Sequence, residues 1–245
     1  MPRCKNCKEK FKIKDMTEGI HLGNCIDYMR TIKTETFDLC VTDPPYKLSS
    51  GGKNGKGSEI WGGCFKRSKY NNSGILFEIP KPIDWMQELF RVMKQSTHFY
   101  CFINDKNLGV FLNAGLKSGF NLHNILVMRK DTHTPNRWYL KNAEYILFFK
   151  KGKAKNINNM GTKTVIDVKM PKNKLHPSQK PIEIYDILIN NSSNENELVF
   201  DPFLGSGTAY FSAKKLNRKF IGCEISKEYF NIIERRIQEI QYKLF

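Results

Sequence analysis

The sequence predicts an α/β fold with a mostly parallel sheet. Three observations point there. Short apolar runs rich in β-formers alternate with segments whose apolar residues recur at helical spacing. Two of the runs end in turns of unusual composition, Asp43-Pro44-Pro45-Tyr46 and Asp201-Pro202-Phe203-Leu204-Gly205-Ser206-Gly207-Thr208. The second turn leads into a helix and then another strand, a βαβ unit. At 245 residues the chain is long enough to bury one sizeable core.

Residues 1–18 are basic and irregular and carry Cys4-x-x-Cys7 followed by Phe11. The spacing matches half of a zinc knuckle, but a structural zinc needs four ligands and no second Cys or His pair follows. The segment therefore reads as a basic arm. A metal site shared across a dimer is the alternative.

Gly19 to Cys25 reads as a strand leading into a loop, and Ile26 to Ile32 as a short helix. Phe37 to Thr42 is a buried strand that the two prolines stop, since neither can donate to a ladder. Lys47 to Gly74 is a long polar loop with Gly51-Gly52, Gly55, Gly57 and Gly62-Gly63. A loop of that length is either functional or disordered. Lys81 to Lys94 is a helix, opened by Pro82, with Ile83, Met86, Phe90 and Met93 on one face. Phe99 to Ile103 is a strand. Asn104-Asp105 is expected to cap the next helix, which presents Leu108, Phe111, Leu112 and Leu116.

Asn124 to Met128 and Tyr145 to Phe149 read as strands, and this closing pair suits an antiparallel hairpin. Pro181 starts a helix bearing Ile184, Tyr185, Leu188 and Ile189. Leu198 to Phe200 is a strand, and Ala209, Ala213 and Leu216 share the face of the helix after the glycines. Phe220 to Cys223 is the next strand, ending in Glu224. The last helix, Lys227 to Lys243, is amphipathic through Tyr229, Ile233, Ile237 and Ile240.

In an open α/β sheet ligands bind at the carboxyl ends of the strands. Asp43 and the Pro44 carbonyl are both acceptors placed there. Together they suit an exocyclic –NH2 whose lone pair must stay available, and Tyr46 can stack on the flat base that carries it. The other reading is a strand-ending turn with a surface tyrosine. Downstream, glycines let backbone approach a ligand closely and the helix start supplies free N–H groups. Glu224 follows the glycines by roughly twenty residues, the spacing of an acid that holds a ribose. No Lys-Ser/Thr follows the glycines, which argues against a P-loop.

Forty basic and 24 acidic residues give a formal charge of +16, which favours a polyanionic partner. No apolar run is long enough to span a membrane, and the N-terminus lacks a signal-peptide core. Seven cysteines, several inside strands or motifs, fit a reducing cytoplasm better than a disulfide framework. Cys25, Cys40, Cys101 and Cys223 belong to the core on this reading, and His98 and His123 are structural.

Taken in order, Asp43-Pro44-Pro45-Tyr46, then His176-Pro177-Ser178-Gln179-Lys180-Pro181, then the Asp201–Thr208 turn resemble the β-class S-adenosylmethionine-dependent DNA amino-methyltransferases. The resemblance runs from about Gly19 to the C-terminus. It implies a Rossmann-like methyltransferase fold with a seven-stranded, circularly permuted sheet, in which residues 19–245 form one domain and the N-terminal strand completes the cofactor half. It implies methyl transfer from S-adenosylmethionine to the N6 of a flipped adenine in DNA. Asp43, Pro44, Pro45 and Tyr46 would be the catalytic group. Asp201, Pro202, Phe203, Gly205, Ser206, Gly207, Thr208 and Glu224 would hold the cofactor, with Ser178 and Lys180 near its carboxylate. Family members carry Gly-Asp-Cys where this chain has Gly23-Asn24-Cys25, so Asn24 and Cys25 take the place of an adenine contact.

The segments 47–74, 131–142 and 151–175 occupy the place of a lid and target-recognition region. Lys53, Lys56, Trp61, Lys66, Arg67 and Arg137 are the expected DNA contacts, and Tyr70 is a further stacking candidate. No metal is required. A homodimer is conceivable, because many β-class members dimerise. N4 of cytosine is the alternative target. Attack at cytosine C5 needs a Cys nucleophile, typically after a Pro, and no Pro-Cys occurs. A non-catalytic DNA-binding module with the same fold is the alternative of another class.

Overall fold

The computed structural model describes residues 18–46, 79–134, 139–153, 155–171 and 179–242. The Cys4/Cys7 segment, the whole of the glycine-rich loop Lys47 to Gly74, and Arg137 and Ser178 lie outside these residues.

The chain begins with β1 (Gly19–Leu22), α1 (Cys25–Thr31) and β2 (Phe37–Thr42). After the glycine-rich loop come α2 (Pro82–Val92), β3 (Met93–Ile103), α3 (Leu108–Ser118), β4 (Asn121–Thr134), β5 (Lys141–Lys151) and β6 (Val165–Val168). The chain closes with α4 (Ile182–Ser192), β7 (Leu198–Asp201), α5 (Thr208–Lys215), β8 (Lys219–Glu224) and α6 (Lys227–Tyr242). The eight strands among the described residues form one sheet in the order β1-β8-β7-β2-β3-β5-β4-β6. Only β5 is antiparallel to both its neighbours; the other pairings are parallel.

The order explains where a ligand can sit. From β7 the chain moves through α5 to β8, away from the centre. From β2 it moves through α2 to β3, in the opposite direction. The two neighbouring strands β2 and β7 therefore form a switch point, and their carboxyl ends open a crevice. The N-terminal β1 pairs in parallel with β8, as the permuted order requires.

Helices cover both faces. Met29 of α1, Trp85 and Leu89 of α2, and Phe111 and Ala114 of α3 pack on one side. Ile184 and Leu188 of α4, Ala209 and Ala213 of α5, and Ile233 of α6 pack on the other. Cys25, Cys40, Cys101 and Cys223 are buried free thiols. Among the described residues no helix is long and apolar enough to cross a membrane, and no group of three or more His, Cys, Asp or Glu could hold a metal.

Four expectations need correction. Among the described residues the sheet has eight strands, not seven, because Val165–Val168 pairs in parallel with β4 from within the 151–175 segment. Its Ile166 and Val168 are buried, an alternation too short to stand out in a polar, Lys-rich stretch. The α2 helix ends at Val92 and β3 starts at Met93 without a loop; a register shift against β2 and a left-handed Ser96 (φ 57°) absorb the junction. The β4–β5 hairpin extends into 131–142, so Asp131–Thr134 and Lys141–Asn142 are strand. The cap of α3 is Asn107, without a side-chain cap bond, while Asn104 Oδ1 accepts from the Asn107 backbone N–H at 3.0 Å.

Candidate active site

At the end of β2, Thr42 is fully buried and Asp43 follows with its side chain 18% exposed. Lys180 Nζ donates to Asp43 Oδ2 at 2.5 Å. Among the described residues Oδ1 takes no hydrogen bond. Burial raises the Asp43 carboxyl above its ordinary value, and Lys180 opposes that rise. Pro44 is buried and Pro45 half-buried. The Tyr46 ring is half-buried, edge-on to Phe111 of α3 at 6.4 Å between centroids, so α3 sets its orientation.

Lys180 lies just before α4 and is buried, with its ammonium 5.6 Å from the centre of the Phe102 ring. It also pairs with Glu144 Oε2 of β5 at 3.2 Å. Burial alone would lower the lysine, but Asp43 and Glu144 outweigh it and hold Lys180 well above its ordinary value. The sequence reading put Lys180 at a cofactor carboxylate; here it is paired with Asp43.

At the end of β7, Asp201 is 2% exposed. Its Oδ1 accepts from the Thr42 hydroxyl at 2.5 Å and from the Phe203 N–H at 3.0 Å. Burial pushes this carboxyl up to about 7, and the two donors hold it from rising further. The Thr42–Asp201 bond ties the two motif-bearing turns together across the switch point. Phe203 packs edge-on against Trp85 at 5.1 Å.

The turn itself is held by Leu204 N–H to Cys223 O at 2.9 Å and Gly207 N–H to Leu204 O at 2.9 Å. Gly207 is left-handed (φ 79°), and a Cβ there would approach Ile233 Cγ2 to 3.1 Å. It caps α5 without a side-chain bond. Ser206 and Thr208 are buried, their hydroxyls 3.0 Å apart. Arg236 of α6 donates to Ser206 O and lies over the Phe211 ring.

Glu224 ends β8 and is 7% exposed. Its two oxygens accept from Gly205 N–H and Ser226 N–H, each at 2.8 Å. Burial raises the carboxyl, and these backbone donors counter the rise. Asn24 caps α1, its Oδ1 accepting from Ile26 N–H at 2.8 Å, and Cys25 is buried, its thiol pushed up to about 12 by that burial. Gly23 N–H reaches Glu224 O at 2.8 Å, so β1 delivers Asn24 to the same edge as Glu224. Leu22 and Ile225, exposed apolar residues at the ends of β1 and β8, flank that edge.

The structure thus brings together Asp43, Pro44, Pro45, Tyr46, Lys180, Asp201, Pro202, Phe203, the Gly205–Thr208 turn, Glu224, Asn24 and Cys25 along one edge of the sheet. Ser178 and the expected DNA contacts Lys53, Lys56, Trp61, Lys66, Arg67 and Arg137 lie outside the described residues. Sequence reasoning missed Thr42, Glu144, Leu22 and Ile225. Thr42 and Ile225 adjoin residues it did select. Glu144 carried a weaker signal, an acid at the head of the apolar run Tyr145–Phe149.

The fold and this edge define an α/β protein whose motif-bearing turns meet at a switch point of the sheet. A family model described as DNA methylase, that of the N6 and N4 amino-methylases, matches residues 37–235, and the chain belongs to this family of DNA methyltransferases. The orphan methyltransferase M.BamHII of Bacillus amyloliquefaciens is 30% identical over 83% of this chain and 89% of its own length. The type II methyltransferase M2.MboI of Moraxella bovis is 26% identical over 95% of this chain and 92% of its own. Among solved structures, the M1.HpyAVI–SAM complex superposes with a TM-score of 0.65 at 22% identity, over 89% of this chain and 98% of that one. The cytosine-N4-specific PvuII DNA methyltransferase gives 0.67 at 15% identity, over 87% and 84%.

Proposed function

We propose that this protein is an adenine-specific DNA methyltransferase that uses S-adenosylmethionine and acts on N6 of a base flipped from the duplex. The observation that carries the reading is Asp43: a carboxylate at the switch point with one oxygen on Lys180 and the other without a hydrogen bond among the described residues. Bound S-adenosylmethionine supplies an electrophilic methyl group on a sulfonium. The chain's residues fit such a cofactor. Glu224, fixed by two backbone N–H groups, is placed to accept from ribose hydroxyls. Leu22 and Ile225 offer apolar surface for its base, beside Asn24 and Cys25. Phe203, Gly205, Ser206, Gly207 and Thr208 surround its amino-acid portion, with Asp201 and Pro202 supporting the turn.

On the substrate side, Asp43 Oδ1 and the Pro44 carbonyl accept the two amine hydrogens. This keeps the nitrogen lone pair out of the ring plane and raises its nucleophilicity. Tyr46 stacks on the flipped base, and Pro45 keeps the turn rigid. The amine nitrogen would attack the sulfonium methyl directly as the carbon–sulfur bond breaks and a neutral thioether leaves, with the surplus amine proton passing to solvent, so that no covalent enzyme intermediate is needed and positioning and electrostatics supply the rate. Residues 19–245 form the methyltransferase unit, and the basic segments bearing Lys53, Lys56, Lys66, Arg67 and Arg137 bind DNA phosphates, with Trp61 a stacking residue.

Asp at the head of the tetrapeptide favours adenine over cytosine. The deciding experiment is transfer of labelled methyl to unmethylated DNA followed by nucleoside chromatography. Label in N6-methyldeoxyadenosine is expected. Label in N4-methyldeoxycytidine would keep the chemistry and reverse the target. An Asp43→Ala protein should bind the cofactor and lose transfer by about a thousandfold, roughly 4 kcal/mol of barrier; full activity would end the mechanism.

A further inference from the structure

Glu144 belongs to none of the motifs, yet it is the second carboxylate on Lys180. It sits on β5, opposite Met128 of β4 in the antiparallel ladder, with its side chain 20% exposed. Its Oε2 is 3.2 Å from Lys180 and its Oε1 is 3.1 Å from Lys130. Lys180 in turn lies 2.5 Å from Asp43 Oδ2. The charges alternate from contact to contact: Asp43 negative, Lys180 positive, Glu144 negative, Lys130 positive. Burial would raise the Glu144 carboxyl, but the two lysines outweigh it and hold it at about 2, so it is ionised at neutral pH.

Such a chain is built to divide one ammonium between two acids. An ammonium has three donors and no fixed plane. With Asp43 as its only acid, Lys180 would swing across both Asp43 oxygens and compete with the incoming amine. The full positive charge would also weaken Asp43 as an acceptor. Glu144 pulls from the other side. It keeps Lys180 on Oδ2 and leaves Oδ1 to the substrate. Lys130 neutralises Glu144 in turn, so that the acid does not draw Lys180 away from Asp43.

We propose that Glu144 is a positioning residue for amine methylation, acting through Lys180 to hold Asp43 with one oxygen available to the target base. The proposal rests on the assignment of Asp43 to the amine. It differs from a purely structural ion pair in what it demands of the side chain. A strand-pairing role is kept by Gln, which has the same length and shape. A role in dividing the ammonium needs charge, which Asp keeps and Gln lacks.

The test compares wild type, Glu144→Gln and Glu144→Asp in single-turnover methyl transfer to unmethylated DNA at saturating S-adenosylmethionine. Rates are expressed per cofactor-binding molecule, so an unfolded fraction does not count. Glu144→Gln is expected to lose at least tenfold in rate while its cofactor Kd stays within twofold of wild type. Glu144→Asp is expected to be at least threefold faster than Glu144→Gln. A Glu144→Gln enzyme within twofold of the wild-type rate would overturn the proposal. So would Glu144→Gln outperforming Glu144→Asp, the order that shape alone predicts. A wild-type protein that binds no cofactor or labels no DNA would instead overturn the proposed function, and the two failures are separately visible.

Discussion

Replacing Thr42 by Val keeps the shape of a fully buried side chain and removes one donor. The lost bond is the 2.5 Å contact from the hydroxyl to Asp201 Oδ1. Asp201 keeps the Phe203 N–H at 3.0 Å. Burial already pushes this carboxyl from 3.8 up to about 7, and losing a donor that favours the charged form pushes it higher. A hydrogen bond to a charged group contributes about 1.5–3 kcal/mol, against about 1 kcal/mol for a neutral pair. The difference, about 0.5–2 kcal/mol, is roughly a twofold to thirtyfold gain in proton affinity at about 1.4 kcal/mol per factor of ten.

Because the folded-state value lies above the unfolded one, the native protein holds the extra proton. The stability this confers is complete below the unfolded value and is lost as pH rises through the folded one. In wild type the loss ends near pH 7; in Thr42→Val it continues to about pH 7.5–8.5. Urea denaturation at two pH values is the assay. The variant should be less stable by about 1 kcal/mol near pH 6 and by about 1.5–3 kcal/mol near pH 9. An equal penalty at both would refute the coupling between Thr42 and a charged Asp201.

His98 is 1% exposed and held at about 4 by burial, with Lys155 adding to the effect. Since the unfolded chain binds the proton first, stability should fall as pH drops from about 6.5 to about 4, by at most about 3 kcal/mol. His98→Gln should flatten that part of the acid denaturation curve, and an unchanged curve would show that another group is responsible. Glu224→Gln keeps one acceptor but places an NH2 against a backbone N–H, at either Gly205 or Ser226. It should weaken S-adenosylmethionine binding about tenfold or more by calorimetry, roughly 1.4 kcal/mol or more, and unchanged affinity would remove Glu224 from the cofactor site.

The fold was legible where the pattern was local. Phe37–Thr42 announced itself as a buried strand through a continuous β-forming run, and the prolines marked its end. The βαβ unit around the glycines was legible because glycine, helix start and Glu224 stand at fixed offsets. What was hidden depended on partners far along the chain. Val165–Val168 is a strand because β4 offers it an edge, and four residues in a lysine-rich stretch do not say so by themselves. Met93 begins a strand at once after a helix because its neighbour is Phe37 of β2, not because of its own sequence context.

The site divides along the same line. A motif states which groups are present, and the chain supplied Asp43, Tyr46, Asp201, the glycines and Glu224 in an order that resembles one enzyme family. Which group touches which is a property of the sheet. The Thr42–Asp201 bond joins residues 159 apart in sequence, and the Lys180–Asp43 bond joins residues 137 apart. Both bonds exist because β2 lies beside β7 at the switch point and α4 begins above them. Lys180 shows what this changes. From its motif alone it could serve any anion near the cofactor turn, but with Asp43 on one side and Glu144 on the other its charge is already divided between two acids. Its neighbours, more than its motif, then decide its chemistry, and a carboxylate on β5 enters the account of the reaction proposed for the end of β2.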